Sequence, residues 1–112
     1  MEAKNKIIRI YTDPKGRIPF EEWLKSTKDP ALRARIRARL DRLSLGNYGD
    51  HKSVGDGIQE LRLAFGAGYR IYYVDLDDVV IILLCGGDKS SQERDIKKAK
   101  GFWQELKERS DE

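Results

Sequence analysis

The sequence contains one cysteine, Cys85, one histidine, His51, and one methionine in 112 residues. A single thiol excludes an internal disulfide and any cysteine-rich zinc site, and a single imidazole excludes the usual multi-histidine metal centres. No metal and no other cofactor is therefore expected, so any chemistry must rest on lysine, arginine, carboxylates, tyrosine or that one imidazole. Long hydrophobic runs are missing as well. The longest, residues 79–85, suits one buried strand and falls far short of the roughly 20 residues that cross a bilayer. Residues 1–6 are polar with no apolar stretch behind them, which predicts no secretory leader and a cytoplasmic location.

Net charge is small, +3, although 37% of the residues are charged. Against these shortages stands a 39% hydrophobic share that includes three Phe, two Trp and five Tyr. That is enough for a packed core, and the length predicts one domain over residues 1–112.

Periodicity divides the chain into elements. Residues 6–11 are β-branched and aromatic and stop at the turn formers of 12–16, predicting a strand and a loop. After Pro19, the spacing of Phe20, Trp23 and Leu24 predicts a short helix with Glu21 and Glu22 in its first turn. Asp29-Pro30 reads as cap and first residue of a second helix, whose Leu32, Ile36, Leu40 and Leu43 recur at helical spacing up to Gly46. Residues 47–57, with three glycines and no periodicity, are expected to be loop. Residues 58–65, 69–75 and 79–85 then predict an antiparallel meander, the last strand covered on both faces and central, ended by Gly86-Gly87 as a sharp turn. An apolar stripe of Ile96, Ala99, Phe102, Trp103 and Leu106 predicts a final amphipathic helix over 91–109. The order strand, helix, helix, three-strand meander, helix defines an α+β domain with a single, mainly antiparallel sheet.

The small net charge hides a pattern. Residues 31–42 carry five arginines against one acid, whereas residues 43–87 carry three basic side chains against six acidic ones. At 100° per residue Arg35, Arg39 and Arg42 fall on one side of the second helix. Arginine forks match phosphate and carboxylate geometry, so these three form a candidate RNA-binding or acidic-partner face. The alternative is an ordinary solvated helix back, since arginine is a good helix former.

The second basic group lies in the strands. Alternation points Leu61 and Leu63 to one face and Arg62 to the other, and Arg70 sits likewise in Tyr69-Arg70-Ile71. A turn about residues 66–68 brings the two arginines close, with the register left open. Lys89 follows the last strand, and His51 and Lys52 lie on the loop leading into the sheet. Such a set can hold a phosphodiester and stabilise the added charge of its transition state. The chemistry open to it is attack by an RNA 2′-hydroxyl on its own adjacent phosphate, helped by proton transfers each worth about 10² to 10⁴. The competing reading pairs Arg62 and Arg70 with Glu60 or Asp75 in cross-strand salt bridges.

At these residues the sequence resembles the RelE/ParE superfamily of toxins, in the phage-derived HigB-like branch of addiction-module killer proteins. The resemblance runs over nearly the whole chain. It includes Phe20-x-x-Trp23-Leu24, Arg35-Ile36 through Arg42-Leu43, Gly46-Asn47 with Gly49-Asp50, Lys52 and Val54, Gly57-Ile58-x-Glu60-Leu61-Arg62, Gly68-Tyr69-Arg70-Ile71-Tyr72-Tyr73, and Gly86-Gly87-Asp88-Lys89-Ser90 with Gln92 and Asp95-Ile96. It implies a RelE-like fold and a cytoplasmic toxin that cleaves mRNA on the ribosome without a metal. Its implied partners are a helix-turn-helix antitoxin and, through that antitoxin, operator DNA. By motif, Lys52, Arg62, Arg70 and Lys89 match the basic set that binds and cleaves RNA in RelE-type members. The arginines would clamp phosphate and a lysine would serve as base or acid. RelE-type members also place a tyrosine on the C-terminal segment, and another HigB branch a histidine; residues 95–98 hold neither. The vacant proton-transfer role then falls to Lys89, His51 or one of Tyr69, Tyr72 and Tyr73. Two other functions remain open: a ParE-like gyrase inhibitor without chemistry, and a degenerate member that binds only antitoxin and operator.

Overall fold

The computed structural model describes residues 5–110. Residues 1–4, which carry most of the polar start of the chain, and residues 111–112 at the end of the proposed domain lie outside the described residues. Strand β1 (Ile7–Ile10) leads to helices α1 (Pro19–Ser26) and α2 (Pro30–Ser44). Strands β2 (His51–Gly55), β3 (Ile58–Arg62), β4 (Arg70–Leu76) and β5 (Val80–Gly87) follow. A 3₁₀ turn at Lys89–Ser91 then runs into α3 (Gln92–Ser110). The Asp29 carboxylate accepts from the Ala31 N–H and Pro30 begins α2, so the dipeptide caps that helix as its sequence predicts.

The five strands form one sheet in the order β1-β5-β4-β3-β2. Only β1 against β5 is parallel; the other three pairs are antiparallel. The domain is thus α+β with a single mixed sheet, mainly antiparallel. Strand alternation sends Leu61, Leu63, Ile71, Tyr73, Ile81 and Leu83 to one face, where Phe20, Leu32, Ile36 and Leu43 of α1 and α2 close over them. The opposite face gathers Ile58, Tyr72, Val74, Leu84 and Cys85 under Ala99 of α3. Both stripes are discontinuous in sequence, and burying them on two sides of one sheet makes a three-layer molecule.

Three expectations need correction. Residues 47–57 are not all loop, because His51–Gly55 pairs with β3 as an edge strand. Four of its five residues are exposed and its register shifts between Ser53 and Gly55, so no alternation marks it; backbone hydrogen bonds alone define it. Strand β5 is internal, but β4 occupies the centre of the sheet. Gly86-Gly87 do not make the turn either: both lie within β5, paired to Ile71 and Arg70.

Candidate functional site

The β3–β4 hairpin sets the register that the sequence leaves open. Leu63 N–H bonds to the Tyr69 carbonyl at 2.9 Å, Gly68 N–H bonds to the Phe65 carbonyl at 3.1 Å, and Gly66 and Gly68 take positive φ. Arg62 therefore stands directly opposite Arg70, and Glu60 directly opposite Tyr72. Cross-strand partners share a face, and residues two apart do also, so all four side chains lie on the α3 side of the sheet. Lys52 of β2 pairs with Glu60 and extends this row to the exposed edge.

The centre of the row is the Glu60 carboxylate, which is fully buried. It accepts hydrogen bonds from Arg62 Nε at 3.0 Å, Tyr72 Oη at 3.1 Å and Gln92 Nε2, at the start of α3, at 2.8 Å. Arg70 Nε stands 3.6 Å from its second oxygen. Burial pushes the Glu60 carboxyl upward, but the donors Gln92, Arg62 and Tyr72 and the charge of Arg70 together hold it below the ordinary carboxylate range. The salt-bridge reading of the arginines is thus correct for Glu60. It fails for Asp75, which meets Lys6 at 3.7 Å and the Tyr48 hydroxyl instead.

Pairing to Glu60 does not exhaust the arginines. Arg62 engages the carboxylate through Nε only, and its side chain is 35% exposed. Arg70 adds a bond from Nη1 to the Gly68 carbonyl at 3.0 Å. Two cations share one carboxylate, leaving a surplus positive charge that is partly exposed at Arg62 and largely buried at Arg70. Lys89 reaches the same corner: its N–H bonds to the Ala67 carbonyl at 3.2 Å, and a Cβ on Gly68 would lie 3.2 Å from Lys89 Cβ and 3.7 Å from Arg70 Nη1. Lys89 itself is exposed. Lys52, Arg62 and Arg70 thus share one face of the sheet, and Lys89 joins the hairpin turn beside Arg70 at its end.

His51 is not part of that face. It pairs with Leu61, whose side chain belongs to the opposite layer, and its ring lies 5.0 Å from that of Tyr48 with Nδ1 at 2.9 Å from the Gly49 carbonyl. The tyrosines also divide. Tyr69 donates to Asp29 at 3.4 Å and Tyr72 to Glu60, while the Tyr73 hydroxyl is buried without a partner among the described residues. Burial raises the pKa of all three above the usual phenol value, a shift reinforced by Asp29 at Tyr69, by Glu60 at Tyr72 and by Tyr48 at Tyr73. None is poised to accept a proton at neutral pH.

Arg35, Arg39 and Arg42 form a second surface on the other layer. They line an open groove with Leu63 and Phe65, and the Arg35 guanidinium lies 4.3 Å from the Phe65 ring centroid. Arg39 differs from its neighbours. Its guanidinium donates to the carbonyls of Arg62, Tyr48 (3.1 Å) and Asp50 (3.3 Å), tying α2 to the start of β2 and the end of β3. Burial, then the charge of Arg42, lowers its pKa. Arg35 and Arg42 remain exposed.

From the sequence Glu60 is visible only as a salt-bridge partner, and its donors Gln92 and Tyr72 are not. The signal was present: Glu60 and Arg62, two apart, face Tyr72 and Arg70, two apart, in an alternating hairpin. Residues 22–102 match the family described as phage derived protein Gp49-like (DUF891). An uncharacterized protein of Haemophilus influenzae is 52% identical over 92 residues, covering 82% of this chain and 93% of the relative.

Proposed function

The chain belongs to the phage-derived Gp49-like family, a RelE-like toxin family, and on that premise we propose that it is the toxin of a type II toxin–antitoxin module, a ribosome-dependent, metal-independent mRNA endonuclease. The observation that carries this reading is the cross-strand pair Arg62 and Arg70, both set against the buried Glu60 carboxylate, Arg62 through a hydrogen bond from Nε and Arg70 with its Nε 3.6 Å away. In the reaction, the 2′-oxygen of a nucleotide bonds to the adjacent phosphorus and the 5′-oxygen leaves. A 2′,3′-cyclic phosphate and a 5′-hydroxyl result. Arg62 and Arg70 stabilise the charge on the non-bridging oxygens as it grows, and Lys52 and Lys89, at opposite ends of the row, carry the proton from the 2′-hydroxyl and to the leaving oxygen. His51, on the other layer, takes no part. The partners that follow are mRNA on the ribosome, a helix-turn-helix antitoxin and, through it, operator DNA, all in the cytoplasm. Among the described residues no helix is long and apolar enough to cross a membrane.

The test is brief induction in growing cells followed by mapping of transcript 5′ ends. Cleavage inside reading frames is expected, abolished in a folded Arg62→Ala, Lys89→Ala double variant. Intact transcripts together with a DNA-damage response would replace this reading with gyrase inhibition. Growth arrest that persists in the double variant would also overturn it.

A further inference from the structure

Two arginines directly opposite each other on neighbouring strands repel, and a sheet gains nothing from that arrangement unless something offsets it. Here Glu60 lies beside the pair, fully buried, with Arg62 Nε on one oxygen at 3.0 Å and Arg70 Nε facing the other at 3.6 Å. Tyr72 and Gln92 donate to the same carboxylate, so its own orientation is fixed from β4 and from the first residue of α3. A carboxylate is an unexpected neighbour for a phosphate, because its charge weakens anion binding. Its benefit is geometric: it accepts from Arg62 Nε and stands beside Arg70 Nε, while the Gly68 carbonyl holds Arg70 Nη1, so both guanidiniums are fixed in orientation.

We infer that Glu60 is the positioning residue of this site, holding Arg62 and Arg70 edge-on as one two-armed phosphate clamp at the expense of raw affinity for RNA. The inference deepens the nuclease reading and rests on it for its kinetic arm only. Geometry and affinity can be measured without any cleavage.

The variant is Glu60→Gln, which keeps the shape and an acceptor oxygen while removing the charge. The probe is a short RNA carrying a 2′-deoxy substitution that blocks cleavage, bound to the full chain at fixed ionic strength. Without the buried charge, the excess positive charge of the site increases, so binding tightens about threefold to tenfold. Cleavage of ribosome-bound mRNA falls at least tenfold in the same variant, because the clamp is no longer held. The Nε–H signals of Arg62 and Arg70, assigned by NMR, move toward those of free arginine. A merely structural Glu60 would instead lower affinity and cleavage together, in step with lost folded protein. That result, or affinity and cleavage both within twofold of the parent, overturns the inference. If the parent protein cleaves no RNA, the nuclease reading fails, and the affinity and Nε measurements decide the role of Glu60 alone. If Glu60→Gln does not fold, Gln92→Leu replaces it. That change loosens the carboxylate without altering charge, so cleavage falls severalfold at unchanged affinity; unchanged cleavage overturns the inference.

Discussion

Tyr72 and Tyr73 are consecutive, both fully buried, and face opposite layers of the sheet. Their hydroxyls differ in one respect: Tyr72 donates to Glu60 at 3.1 Å, and Tyr73 has no partner among the described residues. Removing a donor from a buried carboxylate costs about 1–3 kcal/mol, whereas removing an unpaired buried hydroxyl is close to neutral or stabilising. Tyr72→Phe is therefore expected to lower the urea midpoint clearly and Tyr73→Phe to leave it unchanged or raise it. The same carboxylate makes stability depend on acid. Its folded pKa lies below the ordinary 4.5, so its contribution is complete above about pH 4.5 and disappears as pH falls through the depressed value. Urea midpoints measured from pH 6 down to pH 3 should decline in the parent protein and decline less in Glu60→Gln. At this scale the basic members of the site were legible, because Arg62 and Arg70 interrupt apolar strands. The carboxylate that organises them was harder to see, since its role depends on a register that only the hairpin fixes.

Gly86 and Gly87 show how elements approach one another. A Cβ on Gly86 would lie 2.2 Å from Trp23 Cε3 of α1, and one on Gly87 would lie 1.8 Å from the Asp95 carboxylate of α3. The dipeptide lets two helices close on β5 from opposite faces at the same point. Overpacking there displaces a helix and costs about 1–3 kcal/mol, so Gly86→Ala is expected to lower the thermal midpoint by several degrees in a melting scan. A position that only made a turn would tolerate alanine if its φ were negative, and neither glycine has positive φ. The helices and the two inner faces of the sheet could be read in advance, because Leu32, Ile36 and Leu43, or Leu61 and Ile71, must be buried and repeat at the period of their element. Strand β2 could not, because an exposed edge strand is defined by pairing and leaves its side chains free of any pattern.

Across the whole molecule, the three layers separate two basic surfaces. Glu60, Arg62 and Arg70 lie on the α3 side, whereas the groove of Arg35, Arg39 and Arg42 lies on the α2 side with Leu63 and Phe65. Arg39 is held by three backbone carbonyls, which makes it a tie between elements, so the exposed members that can meet a partner are Arg35 and Arg42. A ribosome offers phosphates on every side of a small protein lodged in it, and each neutralised phosphate steepens the dependence of affinity on salt. If the groove contacts ribosomal RNA, charge reversal at Arg35 and Arg42 together weakens co-sedimentation with ribosomes at least tenfold and flattens its salt dependence by about two phosphate contacts. The Arg62 and Arg70 Nε signals stay in place, since the sheet separates the two surfaces. Undiminished ribosome binding with lost binding to the antitoxin would assign the groove to the protein partner. Arg39→Ala should behave differently from both, lowering stability by about 1–3 kcal/mol in a denaturation curve because three hydrogen bonds are lost, although the Asp50 carbonyl keeps the Arg62 N–H.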